Sequence, residues 1–567
     1  MTDIVGKLNR LTEVPAPGPE FEAWLAMGDG LGFLRDNQQD DDFVVYASAE
    51  GTYIYTVTVP EAAVAPPDID DLMGWSCDPS SSWSVSVQYS ELRRVWIAPP
   101  MEHTDSRALE QGEKLLFARH FLGLPEGKKR YYEASQKFTH LFDLHFMEER
   151  QAYCRLNEHG DVEDVIRMAE CEARGQREGA TGITFNRDLL DEYLVLTESV
   201  LVRMFDFTRH RPGQFGGWSA GQDRRIHSDG DLHYLLHVEP GYASYARGIQ
   251  LVRPLKPKDI VIRRFYPEKP EERQYASYIA MDWKNGVVRE VSCAPGATAN
   301  YFTESGLPYE LSPVFFNPEV LRKYKGDSDK YQLVGRSISC RGAWSLQTYG
   351  VNDAGQVHTY LVYLRRLPYQ EQLYWKSYNE PPKGTISKRA FKTDFEGEWL
   401  LDYDARDSLL LVVGDLDRDQ VPWWTLRSER LREQLHYPVT PSADEWAEEI
   451  LHLDQLLVEG FEEKWLRARA ETLGRKPDIK FRSLKLAGEC LIGLGFAEDH
   501  ARNIVAPLQE LHEIRSKVKG HAAGKDAAAI RKRALSEHHS YNAHFRELCQ
   551  RCDESMRAIT EGFGKLG

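Results

Sequence analysis

The sequence predicts an α+β multidomain body followed by a C-terminal all-α helical bundle. Three observations lead there. The chain has 567 residues, too many for one hydrophobic core and enough for two to four domains. Up to about residue 435 it is dominated by short runs of alternating hydrophobicity, broken by Gly, Pro, Asn and Asp. After Val439-Thr440-Pro441 the apolar residues switch to spacings of three and four, the period of a helix face. The expected division is an α+β N-terminal domain over 1–180, a strand-rich α+β domain over 181–436, and the bundle over 442–567.

In chain order, residues 43–59 alternate around Tyr46, Tyr53, Ile54 and Tyr55 as β structure, and 84–97 alternate again. Helical patterns are expected over 106–121 and 128–149, then a hairpin turn over 155–161. Residues 189–204 read as a helix, and 260–266 and 276–283 as strands. Asn285-Gly286 marks a tight hairpin between 278–281 and 287–291. More β structure is expected at 331–339 and 358–363, a short helix at 369–378 before Pro381-Pro382, and a strand at 409–413. In the bundle, Ser442 and Glu445 form a Ser-x-x-Glu capping box, in which each side chain satisfies a free amide at the helix start. Trp446, Ile450, Leu453, Leu457 and Phe461 line a first helix closed by Gly474 and Pro477. Leu484, Ala487 and Leu491 line a second. Ile504, Leu508, Leu511, Ile514 and Val518 line a third, with Pro507 as a kink or late start. Phe545, Leu548, Cys552, Met556, Ile559 and Phe563 line a long last helix. Each stripe needs a partner, so the helices bundle.

Composition narrows the function. With 42% hydrophobic and 28% charged residues the chain is globular. No apolar run approaches the ~18 residues of a membrane span, and the N-terminus has no basic segment leading into an apolar one. Eight scattered cysteines suggest reduced thiols, and a cytoplasmic location is expected. A net charge of −16 argues against coating nucleic acid with the whole surface. A local basic site remains open, because residues 501–551 hold ten Lys or Arg against five Asp or Glu.

The sequence feature that reads as chemistry closes the third bundle helix: Glu513-Ile514-Arg515-Ser516-Lys517-Val518-Lys519-Gly520-His521. On an unbroken helix Arg515 and His521 would diverge. Gly520 breaks it, so His521 can fold back toward Arg515 or face a second subunit. This pattern, an Arg, a polar residue and a His several positions on at the end of a middle bundle helix, resembles the HEPN superfamily. The likeness covers about residues 442–567. Ser516 is small where active members more often carry a larger polar group. The resemblance implies a metal-independent endoribonuclease acting in bacterial antiphage defence or toxin-like growth arrest, a homodimer, and a large sensing body triggered by a phage or host protein. His521 would be general acid or base for a ribose 2′-hydroxyl and Arg515 would clamp the phosphate. Ser516, Lys517 and Lys519 would hold flanking RNA phosphates. No metal or cofactor is implied. The same cations would also suit a helix end with free carbonyls and no catalysis. A non-catalytic interaction protein, whose bundle dimerises or docks a partner, is the alternative.

Other motifs carry less. Cys549-x-x-Cys552 lacks the second pair that zinc needs, and Cys552 falls on the core stripe. His538, His539 and His544 do not share one helix face as ligands would, and solvated positions suit them better. Asp415, Asp417 and Asp419 lack the Gly and Glu of a calcium loop and suit a solvated turn. Phe215-Gly216-Gly217-Trp218 has no following Lys-Ser/Thr for a phosphate loop. Trp218, Trp344, Trp375, Trp423 and Trp424 are core or anchor aromatics. Residues 307–314 and 367–382 resemble segments of large uncharacterised bacterial proteins, a likeness that carries no reaction.

Overall fold

The computed structural model describes residues 4–64, 84–88, 94–98, 112–120, 130–171, 179–211, 213–219, 226–266, 273–334, 336–398, 403–519 and 525–564. The chain forms two compact units, Met1–Asn157 with Val162–Glu272, and Glu158–Asp161 with Arg273–Gly567.

The first unit is built on a ten-stranded antiparallel sheet. Its order is Ile226–Asp229, Leu232–Glu239, Ala243–Val252, Ser199–His210, Thr52–Pro60, Asp42–Ala49, Ala180–Asn186, Val162–Cys171, Ala152–Leu156 and His145–Met147. Position 180/181 falls at the start of a central strand, so the sheet runs through it, and the compact units divide at 272/273. The central strands are buried on both faces, which explains their near-continuous apolar runs. Helices Ile4–Thr12 and Gly28–Asn37 bring Leu8, Leu31 and Leu34 onto Val44, Ala47 and Phe205. On the opposite face, helix Arg187–Leu196 brings Leu189, Leu190 and Tyr193 to Phe43, Val45 and Tyr46. Two consecutive residues, Val45 and Tyr46, join one core because the register slips between Val44 and Tyr46 in a bulge.

Several expected elements change type. Of the helix expected over 106–121, residues 106–111 lie outside the described ones and Leu116–His120 is a strand. It pairs with Arg130–Ala134, where a second helix was expected; in the described part of that stretch Gln136–Leu141 is α-helical and Glu148–Arg150 forms a single 3-10 turn. Period two wins there because Leu116, Ala118, Tyr132 and Ala134 all turn onto the core around Phe138. The helix expected over 189–204 stops at Leu196. Glu198 turns the chain at φ 50°, and the β-branched run after it enters the sheet as Ser199–His210. Residues 260–266, expected as a strand, lie in helix Lys258–Phe265, which buries Val261 and leaves Ile260 and Ile262 exposed. That helix packs on helix Arg187–Leu196 and pairs with no strand among the described residues, and local β propensity yields to its setting.

Arg203 sits at 0% exposure within this unit. Its guanidinium donates to Asn37 Oδ1 at 2.7 Å, to the Leu34 carbonyl at 2.7 Å and to Gln250 Oε1 at 3.0 Å, and lies 4.5 Å from the Phe43 ring centre. Burial lowers its pKa from 12.5 to about 9, and the nearby Arg187 adds to this. The charge is met by neutral acceptors; Asn37 Oδ1 also accepts from the Val44 amide and the Leu34 carbonyl from Gln250 Nε2.

The second unit holds a smaller sheet, a three-stranded meander and the helices. Ser277–Asp282 and Val287–Ser292 pair through the expected Asn-Gly hairpin, with Gly286 at φ 65°. Pro313–Phe316, Val357–Tyr360 and Gly350–Val351 continue that sheet, and Asn379–Glu380 pairs with Pro313–Phe316. Tyr278, Phe316, Tyr324 and Trp375 fill the core beneath it.

The helical region is one continuous core that runs from Ala405 to Phe563. It begins before 442: Ala405–Arg418, expected as a strand at 409–413 with a solvated turn, is a helix capped by Asp404 and packed on the last helix, Tyr541–Gly564. The first expected bundle helix is two, Ala443–Leu457 and Glu463–Thr472. Between them the Trp424 ring covers Gly460 so closely that an added Cβ would lie 2.3 Å away, and Trp424 Nε1 donates to the Leu457 carbonyl. Ser442 Oγ caps the amides of Asp444 and Glu445 as expected, while the Glu445 carboxylate takes the Val439 and Thr440 amides. Ser483–Gly493, Glu498–Val518 (with Pro507 inside it) and Lys525–His538 complete the set. No helix among the described residues is long and apolar enough to cross a membrane.

Arg203→Ala should destabilise the first unit by about 3 kcal/mol, since Gln250 Oε1 loses its donor, Asn37 and Leu34 each lose a charged one, and the packing on Phe43 is lost. Arg203→Met, which keeps the packing on Phe43, should cost less than Arg203→Ala. Urea unfolding followed by tryptophan fluorescence reads both values; equal values for the two variants would contradict the packing role.

Candidate functional site

Helix Ala443–Leu457 carries apolar residues toward the core at 446, 450, 453 and 457, and among them it also buries Asp454. Helix Glu498–Val518 packs against it, and the contacts run antiparallel: His512 meets Asp454, and Lys519 meets Glu448 seven residues later. His512 and Arg515 are three residues apart and so share a helix face, with Lys519 four further on.

Asp454 is 0% exposed, which for a carboxylate is costly unless positive or donating groups meet it. Burial pushes its pKa up from the ordinary value, and His512 and then Arg515 pull it back. The His512 ring nitrogen Nδ1 lies 3.0 Å from Asp454 Oδ1. Arg515 Nε stands 3.6 Å from Asp454 Oδ2, an ion pair just beyond hydrogen-bond reach, and neither atom has a hydrogen bond. Arg515 Nη2 donates to Glu459 at 3.3 Å. The side chain of His512 is 49% exposed and that of Arg515 32%, so a buried acid holds two partly open groups at the surface.

Of the residues singled out by the motif, Arg515 therefore has acidic partners in place. Lys517 Nζ donates to Glu513 at 2.5 Å on its own helix, Lys519 donates to Glu448, and Ser516 is half-buried. Gly520 and His521 lie outside the described residues. Two participants escaped the motif, His512 and Asp454. The signals were an acid inside an apolar stripe and a His-x-x-Arg spacing on one face.

The remaining motifs resolve into structure. Cys549 and Cys552 are fully buried free thiols whose pKa values burial drives up. Asp415 and Asp419 pair with Arg418 at the end of a helix. His538 pairs with Glu547 at 3.0 Å, while His539 takes a left-handed turn at φ 65°. Trp344, Trp375, Trp423 and Trp424 are all core residues. Among the described residues, no group of three or more His, Cys, Asp or Glu side chains is placed to hold a metal ion.

A cleft of about 1220 Å³ lies elsewhere in the second unit, lined among others by Arg336, Arg406, His436 and Arg546. These three arginines are engaged: Arg336 by Asp394, Arg406 by Asp407 and the Leu435 carbonyl, and Arg546 by Asn542 and the Tyr437 ring. Burial, then Arg406 and Lys325, hold the His436 pKa at about 3 and the ring neutral.

No protein-family model matches this chain, and no curated protein or solved structure matches it.

His544, by contrast with its expected solvated position, is a core residue that sets a pH limit. It accepts from Trp446 Nε1 at 3.2 Å and must be neutral to do so. Burial, with His538 beside it, lowers its pKa from 6.5 to about 4. The unfolded chain binds this proton first, so the contribution is complete above pH 6.5 and is lost as pH falls toward 4. It amounts to on the order of 3 kcal/mol. His544→Asn, whose amide oxygen can still accept from Trp446, should flatten the fall of unfolding free energy between pH 6.5 and 4.5 by about one proton. Urea titrations at stepped pH measure it; an unchanged slope would show that His544 is not the titrating group.

Proposed function

We propose that the helical region is a HEPN-like, metal-independent endoribonuclease, with the sheet-rich remainder as a sensing or regulatory body. Arg515 carries this reading. It stands on the last turn of a middle helix, steadied on one side by a wholly buried carboxylate and partly open to solvent on the other. A guanidinium held in this way is arranged to clamp a phosphodiester and stabilise the added charge of its transition state. His521 of the same motif would exchange a proton with the ribose 2′-hydroxyl or the leaving oxygen. Specificity for RNA follows from the need for that hydroxyl. Ser516, Lys517 and Lys519 would bind flanking phosphates once RNA displaces Glu513 and Glu448. Such exposed pairs are worth only about 0–1 kcal/mol and exchange at little cost. A homodimer, a cytoplasmic setting, a phage or host protein as trigger, and a role in antiphage defence or growth arrest belong to this reading through the family likeness.

A second reading is favoured by one observation: Arg515 already has two acidic partners, as a structural arginine would. In that case the bundle dimerises or docks a partner and cleaves nothing.

Incubation of the full chain with total RNA in chelator separates the two. Under the nuclease reading the wild type cleaves, and Arg515→Ala or His521→Ala lowers the rate by about 10²-fold or more. Cleavage that survives both substitutions, or that chelator abolishes, overturns this assignment. A wild type that cleaves nothing, with the trigger absent or present in a cell extract, favours the interaction protein.

A further inference from the structure

Cleavage of RNA by its own 2′-hydroxyl needs a base at that oxygen as well as a clamp on the phosphate. His512 has the properties of such a base. Asp454 lies beside the Arg515 guanidinium and accepts, so the bond to His512 at 3.0 Å places the hydrogen on Nδ1. The neutral ring then carries its lone pair on Nε2. A carboxylate that fixes the tautomer and orientation of an imidazole in this way is the arrangement found in acid–base catalysis on many folds. Two observations set it apart from a histidine that only neutralises a buried acid. Arg515 already supplies positive charge to Asp454, and the His512 side chain is half exposed instead of sharing the acid's burial. Residues three apart on a helix hold their Cβ atoms roughly 5–6 Å apart, so a phosphate on Arg515 lies within reach of His512.

We propose that His512 is a catalytic base for a ribonucleotide phosphodiester bound at Arg515, with Asp454 as its positioning residue. This rests on the endoribonuclease reading above. In the step, His512 Nε2 takes the 2′-hydroxyl proton as the 2′-oxygen forms a bond to phosphorus. The bond from phosphorus to the 5′-oxygen breaks, and that oxygen leaves with a proton from the general acid of the reading above. The products are a 2′,3′-cyclic phosphate and a free 5′-hydroxyl. No oxidant, reductant or metal enters the balance.

The test is cleavage of an oligoribonucleotide, labelled at both ends, by the full chain in chelator. His512→Gln should lower kcat by about 10²- to 10⁴-fold while KM changes less than about threefold. His512→Gly should be equally slow and should recover at least tenfold when imidazole is added, which a structural role would not produce. His512→Gln keeps a donor for the buried Asp454, and circular dichroism establishes the fold of each variant before its rate is compared; Asp454→Asn, at a buried position, is treated in the same way. If His512→Gln cleaves at the wild-type rate while Arg515→Ala is inactive, this proposal fails and the endoribonuclease reading stands. If the folded His512→Gly is slow and imidazole restores nothing, the proposal also fails. If the wild type never cleaves, both fall together.

Discussion

A carboxylate removed from water has to be met by charge or by donors, and at Asp454 that requirement arranges the helical region around it. The acid lies in the seam between two helices at 0% exposure, out of contact with bulk solvent. His512 and Arg515 reach it from one face of the opposing helix, so the pairing sets the register of the two helices as well as neutralising the charge. Truncating one member of such a buried group is far more costly than the set is worth as a whole, because the remainder is left unpaired. The same need holds a guanidinium and an imidazole at a surface where a polyanion can meet them, and so joins stability to the proposed chemistry.

The polar seam continues outward from there. Glu448 receives Lys519 and faces His452, His452 also faces Glu449, and Glu449 takes the amide of His436 and approaches Lys325. Lys325 in turn reaches Glu445 and the Tyr437 carbonyl. Helix Arg322–Gly326, which belongs to the sheet-bearing part of the second unit, is thereby tied to the first residues of the helical region. The first unit handles a buried charge differently. Among the described residues Arg203 pairs with no acid, and it donates to an asparagine, a glutamine and a main-chain carbonyl.

Legibility in the sequence followed the length and purity of each pattern. The stripes at 504, 508, 511, 514 and 518, and at 545, 548, 552, 556, 559 and 563, are long and unmixed, and both are helices with those residues buried. The Asn285-Gly286 hairpin was equally plain, because few other residues accept a positive φ there. Short runs were ambiguous. Leu409–Val413 is apolar enough for a strand, yet lies in a helix because its apolar face packs on Tyr541–Gly564. Residues 116–120 form a strand for the converse reason, since Arg130–Ala134 stands ready to pair. In the site, Arg515 was legible as part of a motif. Asp454 and His512 belong to none, and their meeting brings together residues 58 positions apart on two helices.

The sequence by itself determined that a sheet-rich region precedes a helical one and where the long helices lie, because hydrophobic period is a local property of the chain. It also marked Arg515 and its neighbours as a cationic helix end. Only the tertiary structure decided which short apolar runs became strands, that the helical core starts at Ala405, and that Arg515 rests against a buried acid shared with His512. Those outcomes depend on which surfaces meet across long chain separations, where burial and the pairing of charge outweigh local preference.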